Sequence, residues 1–256
     1  MANGSVKLFF YSLVGFAAGF ALFIHGFIWF RQKRAIENTP TSKIRSLAMG
    51  LVEIFGEAIS LKGKLLNGPF SGKPCVYYKY LIEEHRSSGK SSRWVAIGSG
   101  CSNENFFLKD ETGWVLVDPK GSEVDLRSDF VFNSGVGKDP SGAIISFLKS
   151  HNLSFEGFLG VNRTMRYTEW IICPKDSIYI MGTAGDNPFV AEGASAKNTA
   201  DIMIQKGENK SFFYISDKQE KAILKKLMWK TIGGLFGGSA LMIACLTVIF
   251  IYLGIL

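Results

Sequence analysis

Cys75-Val-Tyr-Tyr-Lys-Tyr-Leu-Ile82 decides the fold class of this 256-residue chain. β-branched and aromatic side chains dominate it, and these fit a pleated, half-buried surface. The turn cluster Asn67-Gly-Pro-Phe-Ser-Gly72 precedes it. The polar run Arg86 to Ser92 follows and reads as a mobile hairpin loop, with Trp94-Val-Ala-Ile97 starting the return strand.

The same texture extends outward. Val52, Ile54 and Ala58 alternate with Glu53, Phe55 and Glu57 around Gly56. This predicts a strand with a glycine bulge, a short helix being the alternative. Asn105-Phe-Phe-Leu108, Asp110-Glu-Thr-Gly113 and Trp114-Val-Leu-Val117 read as strand, turn and strand, followed by the turn Asp118-Pro-Lys-Gly121. Phe130 to Phe132, Met165 to Cys173, Asp176 to Met181 and Phe212 to Ile215 add strands. Ser141 to Ser150 reads as a helix with Ile144, Ile145, Phe147 and Leu148 on its apolar face. Residues 184–210 are small and polar and read as a long surface loop. Short strands with turns about every 8–12 residues favour a barrel or sandwich over a parallel α/β sheet.

Both ends differ in kind. Leu8 to Phe30 and Thr231 to Leu256 contain no Asp, Glu, Lys or Arg. At about 1.5 Å of rise per residue, each is long enough for a hydrocarbon core of about 30 Å. The first is longer than a signal-peptide core and runs directly into Arg31-Gln-Lys-Arg34, so it reads as a retained anchor. The fold class is thus mainly β, a barrel-like or sandwich-like soluble domain with one or two helices, flanked by two transmembrane α-helices. The expected divisions are an anchor over 1–30, a juxtamembrane segment over 31–50 in which Pro40 breaks what precedes it, and a β-rich domain over 51–216. A basic amphipathic helix over 217–230 and a second span over 231–256 complete the chain.

The net charge of +7 is a property of the flanks: residues 46–216 hold 18 basic against 19 acidic residues. A nucleic-acid partner would want a basic stripe on the domain itself, so none is expected. Ten Lys and Arg lie beside the spans on the domain side, and Lys7 alone lies on the far side. The positive-inside rule then predicts a two-pass membrane protein with a cytoplasmic central domain and both termini opposite.

Signatures of chemistry are sparse. Gly-x-Ser-x-Gly and His-Glu-x-x-His do not occur. Gly135-Val-Gly-Lys-Asp139 has Asp139 where a phosphate loop needs Ser or Thr, and Phe132 where it needs the leading Gly, so it reads as a turn. Cys75, Cys101, Cys173 and Cys245 form no Cys-x-x-Cys pair. Single buried thiols are favoured over a disulfide framework or a zinc site completed by His85 or His151. His25 reads as interfacial or packing, His85 as solvated and His151 as a helix cap. Asp110, Glu111, Asp118, Asp125 and Asp129 could gather a divalent cation, but acids are ordinary in turns. No metal and no cofactor are therefore expected. The glycosylation patterns at Asn152, Asn162 and Asn209 would go unused in a cytoplasmic domain. Gly15 with Gly19, Gly233 with Gly237 and Gly234 with Gly238 have the spacing that lets membrane helices pack closely, within this chain or between copies.

Pro40-Thr-Ser-Lys-Ile-Arg-Ser46, Gly50-Leu-Val-Glu-Ile-Phe-Gly56, Pro69-Phe-Ser-Gly-Lys-Pro-Cys-Val-Tyr-Tyr78, Phe107-Leu-Lys-Asp-Glu-Thr-Gly113 with Val117-Asp-Pro-Lys-Gly121, and Arg166-Tyr-Thr-Glu-Trp170 with Pro174-Lys-Asp-Ser-Ile-Tyr-Ile180 stand in order along the chain. Together they resemble the GIDE, or "beside a membrane", domain of the MULAN/MAPL family of membrane ubiquitin ligases, over about residues 40–215 and between two spans. The resemblance implies a part in protein ubiquitination. In eukaryotic members the second span leads into a zinc-binding RING finger that recruits the charged E2; the sequence reads to Leu256 without the Cys/His series of a RING, so no RING is expected.

The expectation is therefore a RING-less relative acting as a non-catalytic membrane scaffold or sensor. The alternative is a component of a membrane ubiquitin transferase whose RING comes from another chain. Its partners would be the lipid bilayer, an unidentified protein and possible further copies of itself through the glycine-spaced spans. Pro69, Phe70, Lys73, Tyr77, Asp110, Asp118 and Arg166 are the candidate binding surface.

Overall fold

The computed structural model describes residues 2–89, 91–155, 162–189, 201–207 and 212–255. Two compact units divide it: residues 1–40 with 219–256, and Thr41–Lys218.

The first unit is helical. Helix α1, Ala2–Asn38, runs on past the first apolar stretch and ends two residues before Pro40. Residues 31–38, expected as a juxtamembrane segment, are thus helical, with a Lys33–Glu37 ion pair of 2.6 Å between successive turns. Helix α3, Glu220–Ile232, continues through one π turn, Gly233–Gly237, into α4, Gly238–Leu253. Along α3 the residues Ile223, Leu227 and Thr231 are buried and the lysines lie outside that stripe, which is the amphipathic pattern of its sequence.

The two apolar helices are only 11% and 17% buried over their most hydrophobic windows. A soluble core helix would be mostly covered, so these faces suit lipid. They pack antiparallel: Phe9 stacks on Tyr252 at one end, and Lys230 lies 5.4 Å from the Trp29 ring at the other.

The second unit is β-rich. Strand β1, Gly50–Ser60, pairs antiparallel with β6, Phe106–Lys109, and β6 with β7, Trp114–Val117. Strand β7 runs parallel to β12, Ile202–Gln205, which pairs with β11, Ser177–Asp186. β11 returns to β1, so five strands close into a barrel. Ile44, Ile54, Phe106, Leu108, Val115, Val117, Ile178, Ile180, Ile204 and Ile215 are fully or almost fully buried in its core. Strand β13, Tyr214–Ser216, extends the sheet from β11, with β8, Glu123–Asp125, beside it.

The second sheet has the order β5 (Ser91–Cys101), β4 (Tyr77–Ser88), β10 (Met165–Ile172) and β9 (Phe130–Ser134), all antiparallel. Helix α2, Gly142–Ser150, is capped by Ser141, whose hydroxyl accepts from Ile144 N. Its Ile144 and Leu148 share a second core with Phe70, Ile82, Met165 and Tyr167. The short pair β2 (Leu66–Asn67) and β3 (Pro74–Cys75) brackets the Gly68–Gly72 turn.

Several expectations need correction. Gly56 is not a bulge, because its register with β11 is continuous; a side chain there would strike the Lys109 carbonyl of β6. The register shift lies instead between β4 and β5 at Ile82/Glu83. Arg86 to Ser92 is not a loose loop: the strands run to Ser88 and resume at Ser91. Residues 184–210 contain the end of β11 and all of β12, whose Ile202, Met203 and Ile204 are buried; the parts 190–200 and 208–210 lie outside the described residues.

Carboxylates secure both ends of this unit. Glu53, 1% exposed, accepts from Thr41 Oγ1 at 2.7 Å and Tyr179 OH at 2.9 Å, and its carbonyl accepts from Ser42 N. Asp110 accepts from Ile44 N, and Lys43 pairs with Glu111. At the exit, Asp125 accepts from Tyr214 OH at 2.6 Å and Lys218 Nζ at 2.7 Å. Burial, and then that carboxylate, push the Tyr214 phenol far above its usual range.

Candidate functional site

The Pro69–Tyr78 motif is built on a buried carboxylate that the sequence reading did not single out. Glu169 lies on β10 with no exposed surface. It shares its face of the strand with Tyr167 and Ile171, both buried, so the pleat turns it inward. One oxygen accepts from Phe70 N at 2.6 Å and Ser71 N at 3.2 Å; the other accepts from the Ser71 hydroxyl. A side chain at Gly68 would collide with this carboxylate at 2.5 Å, which explains a glycine there. The turn thus wraps Glu169 through backbone donors, a strong arrangement for a buried anion.

That arrangement fixes the candidate residues. Phe70 is 2% exposed, with ring centroids of Tyr80, Phe147 and Tyr167 at 5.8, 5.3 and 5.7 Å. Its side chain is core, not surface. Pro69 is half-buried and Lys73 exposed. Tyr77 is buried in the barrel core, where burial, then Cys101, drive its phenol well above the usual range. Burial, with Cys173 and Glu169 nearby, pushes the Cys75 thiol up to about 12.

Asp110 and Asp118 occupy turns. Asp110 accepts from Thr112 N and Oγ1, both at 2.6 Å, from Gly113 N at 3.0 Å and from Ile44 N at 2.9 Å. Burial raises its carboxyl, but the four hydrogen bonds outweigh this and hold it below the usual carboxylate range. An open hollow of about 480 Å³ beside it is lined by Lys43, Phe55, Glu57, Lys109 and Glu111 among others. Asp118 accepts from Lys120 N at 3.1 Å, and Gly121 completes that turn at φ 74°.

Asp110 should make the Thr41–Ser46 strap acid-sensitive. A carboxyl depressed on folding contributes stability that is present above its unfolded pKa of about 3.9 and lost as pH falls through the lower folded value. The Asp110→Asn protein should therefore start less stable at neutral pH and lose less between about pH 4 and 2. Thermal melts across that range check it, and parallel curves for both proteins would exclude the linkage.

Arg166 stands apart, on the face of the second sheet away from α2. Its Nε meets Glu83 at 2.7 Å, directly across the ladder, and its guanidinium lies 4.4 Å from the Trp94 ring centroid. His85 meets the same ring edge-on, with centroids 5.1 Å apart. The seven candidates thus fall into separate places: one turn cradle, the barrel core, two turns between strands and one sheet face. Glu53, Trp94 and Glu169 were missed, although Glu169, in step with Tyr167 and Ile171, carried a usable signal; Glu53 lies on the face of β1 opposite Val52, Ile54 and Ala58.

The remaining candidates resolve similarly. His151 closes α2, its Nδ1 3.0 Å from Phe147 O and its ring stacked on Phe147. His25 Nδ1 lies 2.8 Å from Ala21 O within α1. Asp129 accepts from Ile171 N. Among the described residues, no three His, Cys, Asp or Glu side chains are placed to hold a metal ion.

In the helical unit, a side chain at Gly19 would crowd Gly238 O and Met242, and one at Gly234 would strike Gly26. Gly15 faces Cys245, while Gly233 and Gly237 have open space around them. The contact therefore uses Gly15, Gly19, Gly234 and Gly238 of the expected set, adds Gly26, and leaves Gly233 and Gly237 outside.

No curated protein matches this chain, and no solved structure does. The family model GIDE, described as E3 ubiquitin ligase, matches residues 77–250, from the start of β4 through most of α4. That span covers more than half of the chain and joins the β-rich unit to an apolar helix, and the chain belongs to the GIDE family.

Proposed function

We propose that this GIDE-family chain is a non-catalytic membrane scaffold or sensor whose central domain presents binding surfaces on the cytoplasmic side, with both ends of the chain opposite. One observation carries the reading: the motif acids Glu53, Asp110, Asp118 and Glu169 all hold backbone or hydroxyl groups of the fold. General acid or base work needs a carboxylate within reach of a substrate proton, and these are already engaged. Two membrane anchors raise the domain's effective concentration near membrane partners without any chemistry of its own. The ten basic residues flanking the spans on the domain side support the orientation.

The purified chain in lipid nanodiscs, given E1, a panel of E2 enzymes, ubiquitin and ATP, should form no conjugates. Conjugation by the chain alone would overturn the scaffold reading. Conjugation that appears only with an added RING protein would favour the second reading, supported by family membership, in which this chain is one component of a transferase. Cys101, exposed on β5, reports sidedness: a membrane-impermeant maleimide should label it in inside-out vesicles. Labelling in right-side-out vesicles instead would reverse the orientation.

A further inference from the structure

Strand β5 is the outermost of its sheet, and among the described residues no strand pairs with its outer edge. Every second residue of an outer strand turns its N–H and C=O away from the sheet. Natural edges are guarded by shortness, proline, lysine or a bulge. β5 is eleven residues long and contains neither proline nor lysine. Its guard is the irregularity opposite Ile82/Glu83, where Gly98 pairs with Ile82 and Ala96 with Glu83, leaving Ile97 over. Beyond that bulge, Ser91 to Ala96 forms a regular edge about 20 Å long.

The charges beside this edge are unbalanced. Arg93 stands directly opposite Arg86 in the ladder, and like charges in that position destabilise a sheet. Glu84 already takes Arg86 at 2.7 Å and Arg163 at 3.4 Å. Among the described residues Arg93 has no ion-pair partner, and it is exposed. On the opposite face of the strand, Trp94 lies half-buried against Arg166 and His85. One face of the edge is thus cationic and the other carries an aromatic ring, in alternation.

We propose that the Ser91–Ala96 edge of β5 takes an extended peptide from a partner protein as an added strand, with acidic residues toward Arg93 and apolar residues toward Trp94. Main-chain hydrogen bonds would supply affinity, and the alternating side chains selectivity. The proposal rests on the scaffold reading and names its partner's chemistry. It is tested without ubiquitin components, so its failure is separate from a failure of that reading.

The probe is a capped peptide of alternating aspartate and valine, about eight residues long, enough to cover the edge. It is titrated calorimetrically into the full chain in nanodiscs, and amide exchange is followed in parallel. Binding should protect amides within Ser91–Ala96. It should weaken about fivefold to tenfold in Arg93→Glu, the size of one exposed ion pair made repulsive. Binding should vanish for a lysine–valine peptide and for the aspartate–valine peptide N-methylated at alternate amides. The N-methylated probe leaves the protein untouched, so it decides the strand geometry even if the variant misfolds. Absence of binding, indifference to N-methylation, unchanged affinity in a folded Arg93→Glu protein, or protection elsewhere would each overturn the proposal. Concentration-dependent protection of the same amides without peptide would assign the edge to a second copy and overturn it equally.

Discussion

Replacing Glu169 by alanine is expected to cost about 3–5 kcal/mol, the largest single loss in the β-rich unit. The substitution leaves Phe70 N, Ser71 N and the Ser71 hydroxyl without their acceptor. Each stranded buried donor costs about 1–3 kcal/mol, and the bonds lost were to a charged group. The damage should spread, because the turn also seats Phe70 among Tyr80, Phe147 and Tyr167. For a domain of this size the melting temperature should fall by roughly 10 °C or more.

Glu169→Gln keeps the volume but presents an NH2 group to donors on one side, so it should lie between wild type and Glu169→Ala. Thermal and urea unfolding of both variants read the order. Equal stability of wild type and Glu169→Ala would show that water replaces the carboxylate, and the turn would then be a surface feature after all.

Much of this architecture is legible in sequence where one face of a strand repeats. Tyr77–Ser88 and Met165–Ile172 follow from β-branched and aromatic density, and α2 from its apolar stripe. Barrel closure was not legible. It depends on Gly50–Glu57 meeting Ser177–Ala184 across most of the domain, and on the parallel contact of Met203 and Ile204 with Leu116 and Val117. Alternation specifies which face is buried but not which strand lies alongside. β12 escaped because four residues set among small polar neighbours give too little periodicity to register.

The site was partly hidden for a related reason. The motifs around Pro69 and Asp110 are conspicuous because they are turns, and turn chemistry draws attention to residues whose task is local. Their partners are remote: Glu169 for the first, the backbone of Ile44 for the second. A charge at an inward strand position, such as Glu169, carries more information than a charge in a loop, because burying it demands named donors.

Gly26→Ile should separate the two apolar helices, and Gly233→Ile should not. A Cβ at Gly26 would lie 2.6 Å from Leu235 N and 2.7 Å from Gly234 C. These are backbone atoms and cannot rotate aside, so the helices must move apart over the Gly19–Gly26 contact. In lipid such pairs are held by close van der Waals packing rather than by exclusion of water, and a forced gap removes that attraction directly. Overpacking of this kind costs about 1–3 kcal/mol, and more where backbone must yield.

Spacing alone could not distinguish the active pair. Gly233/Gly237 and Gly234/Gly238 differ by one residue, which is about 100° around a helix, and the second pair faces α1. Gly26 was overlooked because it lies seven residues from Gly19, two turns along the same face, rather than four. Cross-linking between Trp29→Cys and Lys230→Cys, whose parent side chains meet at 5.4 Å, reads the separation one turn from the contact. Its yield should drop several-fold with Gly26→Ile or Gly234→Ile and stay unchanged with Gly233→Ile or Gly237→Ile. The same drop for all four would mean that the outward glycines also face a helix, that of a second copy.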